Sequence, residues 1–262
     1  MDLGLKGKRA VVMGASKGLG LAAAEALARE GVSLVISGRN QESLDKVAAG
    51  LVALGAPVAL GIPADVASNA DMDKLADGAV AALGGVDILV LNHGGPPPCS
   101  AVDMKEDDLA PWFQRIVQGP IHIVKKLLPG MRAGGFGRII SIGSTGLQQP
   151  IPNLVLSNTL RAALLGYLKT LSAEVAGDGV TVNVAAPGAI RTDRSLETAA
   201  GLASKSGKTV DEVIAERSKT IPAQRYGKPE EFGPAIAFMA SPVAAYMTGE
   251  IVRIDGGMVR GF

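Results

Sequence analysis

Apolar residues fall in blocks along this chain rather than in strict alternation. Short aliphatic runs recur at 10–13, 32–37, 57–62, 86–91, 138–142, 180–185 and 250–254. Runs of this length, bounded by Gly, Asn or Pro, predict strands covered on both faces. Between them lie longer segments with apolar residues three and four apart, which predicts helices over 21–30, 41–54, 70–83, 107–131, 153–176 and 229–239. In 41–54 the face is Leu44, Val47, Ala48 and Leu51, and 107–131 reads as one long helix, broken or bent near Gly119 and Pro120. Strand and helix alternate from end to end. That order predicts a single α/β domain over 1–262, a Rossmann-type doubly wound sheet of seven parallel strands with helices on both faces. Only 194–220 breaks the rhythm, with a short helical pattern around 210–217. An insertion there, beyond a strand end, is expected to be a lid over a substrate.

Composition narrows the partners. The chain has 262 residues, 47% of them hydrophobic but only 3% aromatic, so the core is built from Ala, Val, Leu and Ile. Net charge is +1, from 26 basic and 25 acidic residues without a block of either sign, which argues against a nucleic-acid partner. Cys99 is the only cysteine, so no internal disulfide and no zinc-type spacing is available and no metal site is expected. There is no signal-peptide pattern and no run of 18 apolar residues. A cytoplasmic location and no membrane span are the expectation.

The chemistry starts at the first strand–helix junction, where Gly14, Ala15, Ser16, Lys17, Gly18, Leu19 and Gly20 follow an apolar run. A helix opening at such a turn aims free N–H groups and a positive dipole end at it, and missing side chains let an anion approach closely. A dinucleotide pyrophosphate is the natural guest. At the end of the second strand an acid would bind the ribose 2′-hydroxyl of NAD, whereas Arg39 suits the 2′-phosphate of NADP. Lys17 offers a second cation to that phosphate, so NADP(H) is expected ahead of NAD(H). Asp65, with Val66, follows the third strand and either contacts adenine or only starts a turn. Asn92, His93, Gly94 and Gly95 end the fourth strand; His93 is either an acid–base group or a ring held by a backbone hydrogen bond.

These residues together resemble the classical short-chain dehydrogenase/reductase family over essentially the whole chain, with the flavour of its β-ketoacyl-carrier-protein reductases. Gly14 to Gly20 is similar to that family's cofactor loop, Asp65-Val66 to its adenine contact, and Asn92-His93-Gly94-Gly95 to its Asn-Asn-Ala-Gly turn. Pro187-Gly188 with Ile190 and Thr192 resembles its nicotinamide-side loop, and Asp255-Gly256-Gly257 its ending. The resemblance implies an oxidoreductase of small molecules, a homotetramer or homodimer, and a catalytic tetrad of Asn, Ser, Tyr and Lys. Ser144 stands where that Ser belongs. Thirteen residues on is Ser157, not Tyr; four further is Arg161, not Lys; and Ile116 aligns with the Asn. Tyr167 and Lys169 lie two residues apart and would not share a helix face. Ser157, Asn158 and Arg161 resemble a divergent subgroup with Ser-Asn-x-x-Arg in this place. A serine hydroxyl is a far weaker acid than a phenol, and general acid–base help is worth roughly 10²–10⁴ in rate. Three readings follow: a carbonyl or alcohol oxidoreductase using Ser144, Ser157 and Arg161; a silent dinucleotide-binding sensor or partner subunit; or a lyase or isomerase without net redox.

Overall fold

A computed structural model describes residues 2–261. Seven strands form one parallel sheet: β1 (Arg9–Val12), β2 (Ser33–Gly38), β3 (Ala59–Pro63), β4 (Ile88–Leu91), β5 (Gly137–Ile142), β6 (Val180–Pro187) and β7 (Ile251–Ile254). Their spatial order is β3-β2-β1-β4-β5-β6-β7. The order reverses between β1 and β4, and a sheet of this kind opens its ligand crevice at the carboxyl ends of those two strands. At the opposite end, the Arg9 guanidinium pairs with both oxygens of Asp87, at 2.9 and 2.7 Å, and pins β1 beside the chain entering β4.

Two apolar layers sandwich the sheet. Helices α1 (Gly18–Arg29), α2 (Gln41–Leu54) and α9 (Pro229–Ala240) cover one face with Ala23, Leu27, Leu44, Phe232 and Ile236. Helices α3 (Asn69–Leu83), α5 (Gly119–Ala133) and α6 (Val155–Val175) cover the other with Leu75, Ile123, Val124, Leu164 and Leu168. The strands carry Val, Ile and Leu on both sides because both sides are dry.

The helix expected over 107–131, broken or bent near Gly119 and Pro120, is interrupted just before Gly119. A short α4 (Leu109–Phe113) runs into a π-helical turn at Gln114–Gln118, and α5 begins at Gly119. Pro120 has no N–H to give the turn below it, and the widened turn absorbs the missing bond. Gly119 also sits hard against the loop after β3: a Cβ there would lie 1.9 Å from the Val66 carbonyl oxygen.

The expected insertion consists of two helices rather than one, α7 (Asp193–Ser206) and α8 (Val210–Lys219). Only Ala199, Ala203 and Val213 are buried between them among the described residues. With two alanines as its buried face, α7 left no apolar stripe to read. Its start is set by a capping box in which Thr192 and Ser195 satisfy each other's backbone N–H.

The close approach at Gly119 predicts that Gly119→Ala lowers stability by about 2 kcal/mol, roughly a 5 °C fall in Tm for a chain of this size. Gly50 lies mid-helix in α2, and a Cβ there would meet nothing within 4 Å. It makes the control: Gly50→Ala raises stability by up to about 1 kcal/mol through helix propensity. Thermal unfolding of both variants checks the pair.

Candidate active site

The glycine turn takes its shape from positive φ at Gly14 (57°) and Gly18 (63°). Helix α1 starts earlier than expected, at Gly18, so Gly18, Leu19 and Gly20 form its first turn. Asn92, past the end of β4, donates from Nδ2 to the Gly14 carbonyl at 3.0 Å. A Cβ on Gly20 would fall 2.3 Å from that same carbonyl oxygen. Helix α1 has Lys17 at its N-cap with no capping side chain, whereas Asn40 and Ser68 cap α2 and α3 with side-chain oxygens. The first N–H groups of α1 therefore lack a side-chain acceptor, and a bound phosphate oxygen is the acceptor that suits them. Gly94 and Gly95 face open space where a ligand would cross the strand ends.

The adenosine side carries more cations than the sequence suggested. Arg39 is exposed just past β2. Ser16 packs beside Gly38, with its Oγ 3.4 Å from a Cβ built on that glycine. Asp65 accepts from the Ala67 N–H at 3.0 Å and from Arg115 at 3.1 Å, and its other oxygen lies 3.0 Å from the Arg115 guanidinium. Burial pushes the Asp65 carboxyl up, but the Ala67 N–H and Arg115 outweigh it and hold the group below its ordinary value, with Arg39 adding to them. Arg115, on the π-helical turn, went unnoticed in the sequence because no motif surrounds it. Val66 is buried in the core, and the chain places its carbonyl against Gly119.

Lys17, at the glycine turn, pairs with α7. Its ammonium lies 3.4 Å from Asp193 and 3.9 Å from Glu197, both on α7. The loop after β6 comes close as well: Thr192 sits 3.8 Å from a Cβ built on Gly18. Pro187 ends β6, Gly188 donates to Ile254 O at 3.0 Å, and Ile190 is buried, bridging to Gly227.

A second polar cluster is assembled from the end of β5 and from α6. Ser144 caps a 3₁₀ turn at Thr145–Leu147, its Oγ accepting from the Gly146 N–H at 3.0 Å. Its O–H is left to donate. On α6, Arg161 reaches back one turn to Ser157 Oγ (Nε donor, 3.2 Å) and across to the Ile142 carbonyl at the end of β5 (Nη1 donor, 3.0 Å). Burial pulls Arg161 down to about 10, so it is still a cation at neutral pH. Asn158 clasps the Ile151 backbone, donating to its carbonyl at 2.9 Å. Ile116 is fully buried against Leu156 and Leu160, hydrocarbon where the resemblance places a carboxamide. Lys169 instead bonds Gly249 O, away from Ser157, and Tyr167 packs on the sheet-side core.

His93 is the backbone-held ring of the two alternatives. Its Nδ1 lies 3.2 Å from the Gly94 carbonyl. Burial, then the Arg161 charge, pushes it down to about 3. Among the described residues, its Nε2 is the one buried side-chain polar atom without a partner. No group of potential metal ligands forms among the described residues, and no helix there is long and apolar enough to cross a membrane.

Known proteins share this fold. The family model described as enoyl-(acyl carrier protein) reductase matches residues 14–259. The 3-oxoacyl-[acyl-carrier-protein] reductase of Vibrio cholerae is 33% identical over 256 residues, covering 98% of this chain and 99% of that protein. L-sorbose reductase from Gluconobacter frateurii, solved with NADPH and L-sorbose, superposes with a TM-score of 0.95 at 32% identity over the full length of both chains. A 3-oxoacyl (acyl-carrier-protein) reductase from Agrobacterium tumefaciens, solved with NADP, gives 0.88 at 29% identity over 97% of this chain and 95% of that one. With the sheet order, the glycine turn and the loop after β4 all in place, the chain belongs to the classical short-chain dehydrogenase/reductase family of oxidoreductases.

Proposed function

We propose that this protein is an NADP(H)-dependent oxidoreductase acting between a carbonyl and an alcohol, with a serine–serine–arginine site in place of the family's usual groups. The observation that carries the reading is the uncapped start of α1, with Arg39 beside it and no acid at the end of β2. In this reading Gly14, Ser16, Gly18, Leu19 and Gly20 hold the pyrophosphate and Arg39 the 2′-phosphate. Asp65, Val66, Asn92 and Gly94 line the adenosine and ribose side, and Pro187, Gly188, Ile190 and Thr192 the nicotinamide side. The nicotinamide supplies or accepts the hydride; the chain's own groups position the substrate and handle the proton. NADPH and NADP in the related structures support the cofactor class.

Ser144 donates to the substrate oxygen, since its own acceptor position is taken by Gly146. Arg161 donates into Ser157, which favours the deprotonated hydroxyl and partly offsets its weak acidity. Arg161 also replaces a lysine as the fixed cation beside the ribose, and its Nη2 has no protein acceptor among the described residues. His93, neutral above about pH 3, offers an acceptor at Nε2 and no acid. A hydroxyl or water bound beside Arg161 and His93 would give one group its missing acceptor and the other its missing donor. The two helices from Asp193 to Lys219 form the lid over this site. The small exposed residues Ala162, Ala163 and Gly166 on α6 fit packing against another copy, as a homotetramer requires.

Calorimetric titration tests the cofactor reading: NADPH binds more tightly than NADH, and Arg39→Asp reverses the order. Turnover with a ketose and a 3-oxoacyl thioester tests the chemistry. Ser144→Ala lowers kcat about 10²-fold with cofactor affinity retained, the loss typical of one hydrogen-bond donor to the reacting oxygen. Tight NADPH binding without turnover of any carbonyl would assign the chain to the silent sensors instead. The His93 ring shows neutral-imidazole NMR shifts down to pH 5. Because the unfolded chain takes up this proton near pH 6.5 and the folded chain only near 3, stability declines as pH falls across that interval, by up to about 1.4 kcal/mol per unit. His93→Gln flattens the slope by one proton; an unchanged slope would contradict the neutral buried ring.

A further inference from the structure

The first turn of α7 is moored on both sides of the crevice between β1 and β4. On the β1 side, Lys17 Nζ lies 3.4 Å from Asp193 Oδ2 and 3.9 Å from Glu197 Oε1. On the β4 side, Arg194 donates to the Pro96 carbonyl at 3.2 Å, and its other terminal nitrogen lies 3.9 Å from Glu197. Asp193 and Glu197 are four residues apart, so they present one acidic face to the glycine turn. The Thr192 side chain also lies 3.8 Å from a Cβ built on Gly18. Little else anchors this turn, since the buried contacts of α7 and α8 among the described residues are two alanines and a valine.

We propose that Asp193 and Glu197 compete with the coenzyme's 2′-phosphate for Lys17, and so set how strongly the protein discriminates NADPH from NADH. The inference rests on the coenzyme reading above. Lys17 carries one ammonium on a flexible stem at the N-cap of α1, beside the glycine turn that the pyrophosphate would occupy. The Lys17, Asp193 and Glu197 side chains are each more than 60% exposed. Exposed pairs of this kind are individually weak and exchange freely. A phosphate, with charge near −2 and several acceptor oxygens, makes the stronger charge-assisted bond and takes the ammonium over. The two carboxylates thus lower NADPH affinity and leave NADH affinity alone. Binding of the phosphorylated coenzyme in turn frees the first turn of α7.

The test is a binding cycle by calorimetry on the full chain at low ionic strength. Asp193→Asn with Glu197→Gln tightens NADPH about threefold, the size expected for two weak exposed pairs, and changes NADH by less than twofold. In a Lys17→Met background the same double substitution has no effect on NADPH, because the shared cation is gone. General relief of charge repulsion would survive that background and would overturn the proposal. Equal tightening of both coenzymes, or an NADPH gain that persists in about 1 M salt, would overturn it as well. If the wild-type chain binds neither coenzyme, the cofactor reading falls and this inference with it. If it binds both and their ratio ignores the acidic pair, only this inference falls.

Discussion

The structure depends on how closely three pieces of backbone meet at one point. The end of β1, the first turn of α1 and the residue after β4 converge on the Gly14 carbonyl. Asn92 donates to it, and Gly20 passes so near that no Cβ fits. That contact ties the glycine turn to the loop after β4 just beyond the β1–β4 ladder, in which the Met13 N–H donates to the Val90 carbonyl at 3.0 Å. The uncapped start of α1, the open space before Gly94 and Gly95, and the approach of Thr192 are all measured from this point. A larger residue at position 14 or 20 would push the helix away and aim its dipole elsewhere.

Charge placement around the crevice is lopsided. Lys17, Arg39, Arg115 and Arg161 surround the region, while Asp65 is spent on Arg115 and Asp193 and Glu197 are shared with Lys17 and Arg194. His93 adds no charge, because burial and Arg161 keep its proton off. An anionic ligand suits such a surface better than a neutral one. The cations differ in depth. Arg161 is enclosed and bonded to Ser157 and Ile142 O, so it is a fixed part of the frame, whereas Lys17 and Arg39 stand in solvent and respond to what binds.

On α6, one cation joins several polar groups. A guanidinium carries its charge on a planar fork that bonds several partners at once, which an ammonium on a flexible stem does not. Arg161 uses that fork to join the end of β5 to its own helix, and through Ser157 it polarises the hydroxyl one turn back. Ile116, on the π-helical turn, packs against Leu156 and Leu160 of α6.

The sheet, its parallel sense and the position of the crevice were legible in the sequence because aliphatic runs and glycine turns are local signals set by period and backbone freedom. So was the pairing of Ser157 with Arg161 on one face of α6, since four-residue spacing on a helix decides which side chains meet. Helix α7 was not legible, because two alanines make no stripe, and the π-helical turn was not, because the sequence marks the proline but not which turn yields to it. Only tertiary structure decided where the long charged side chains end. Arg115 reaches Asp65 across 50 residues of chain and Lys17 turns to α7. Flexible stems take their partners from whatever the fold brings near, and no spacing in the chain records that.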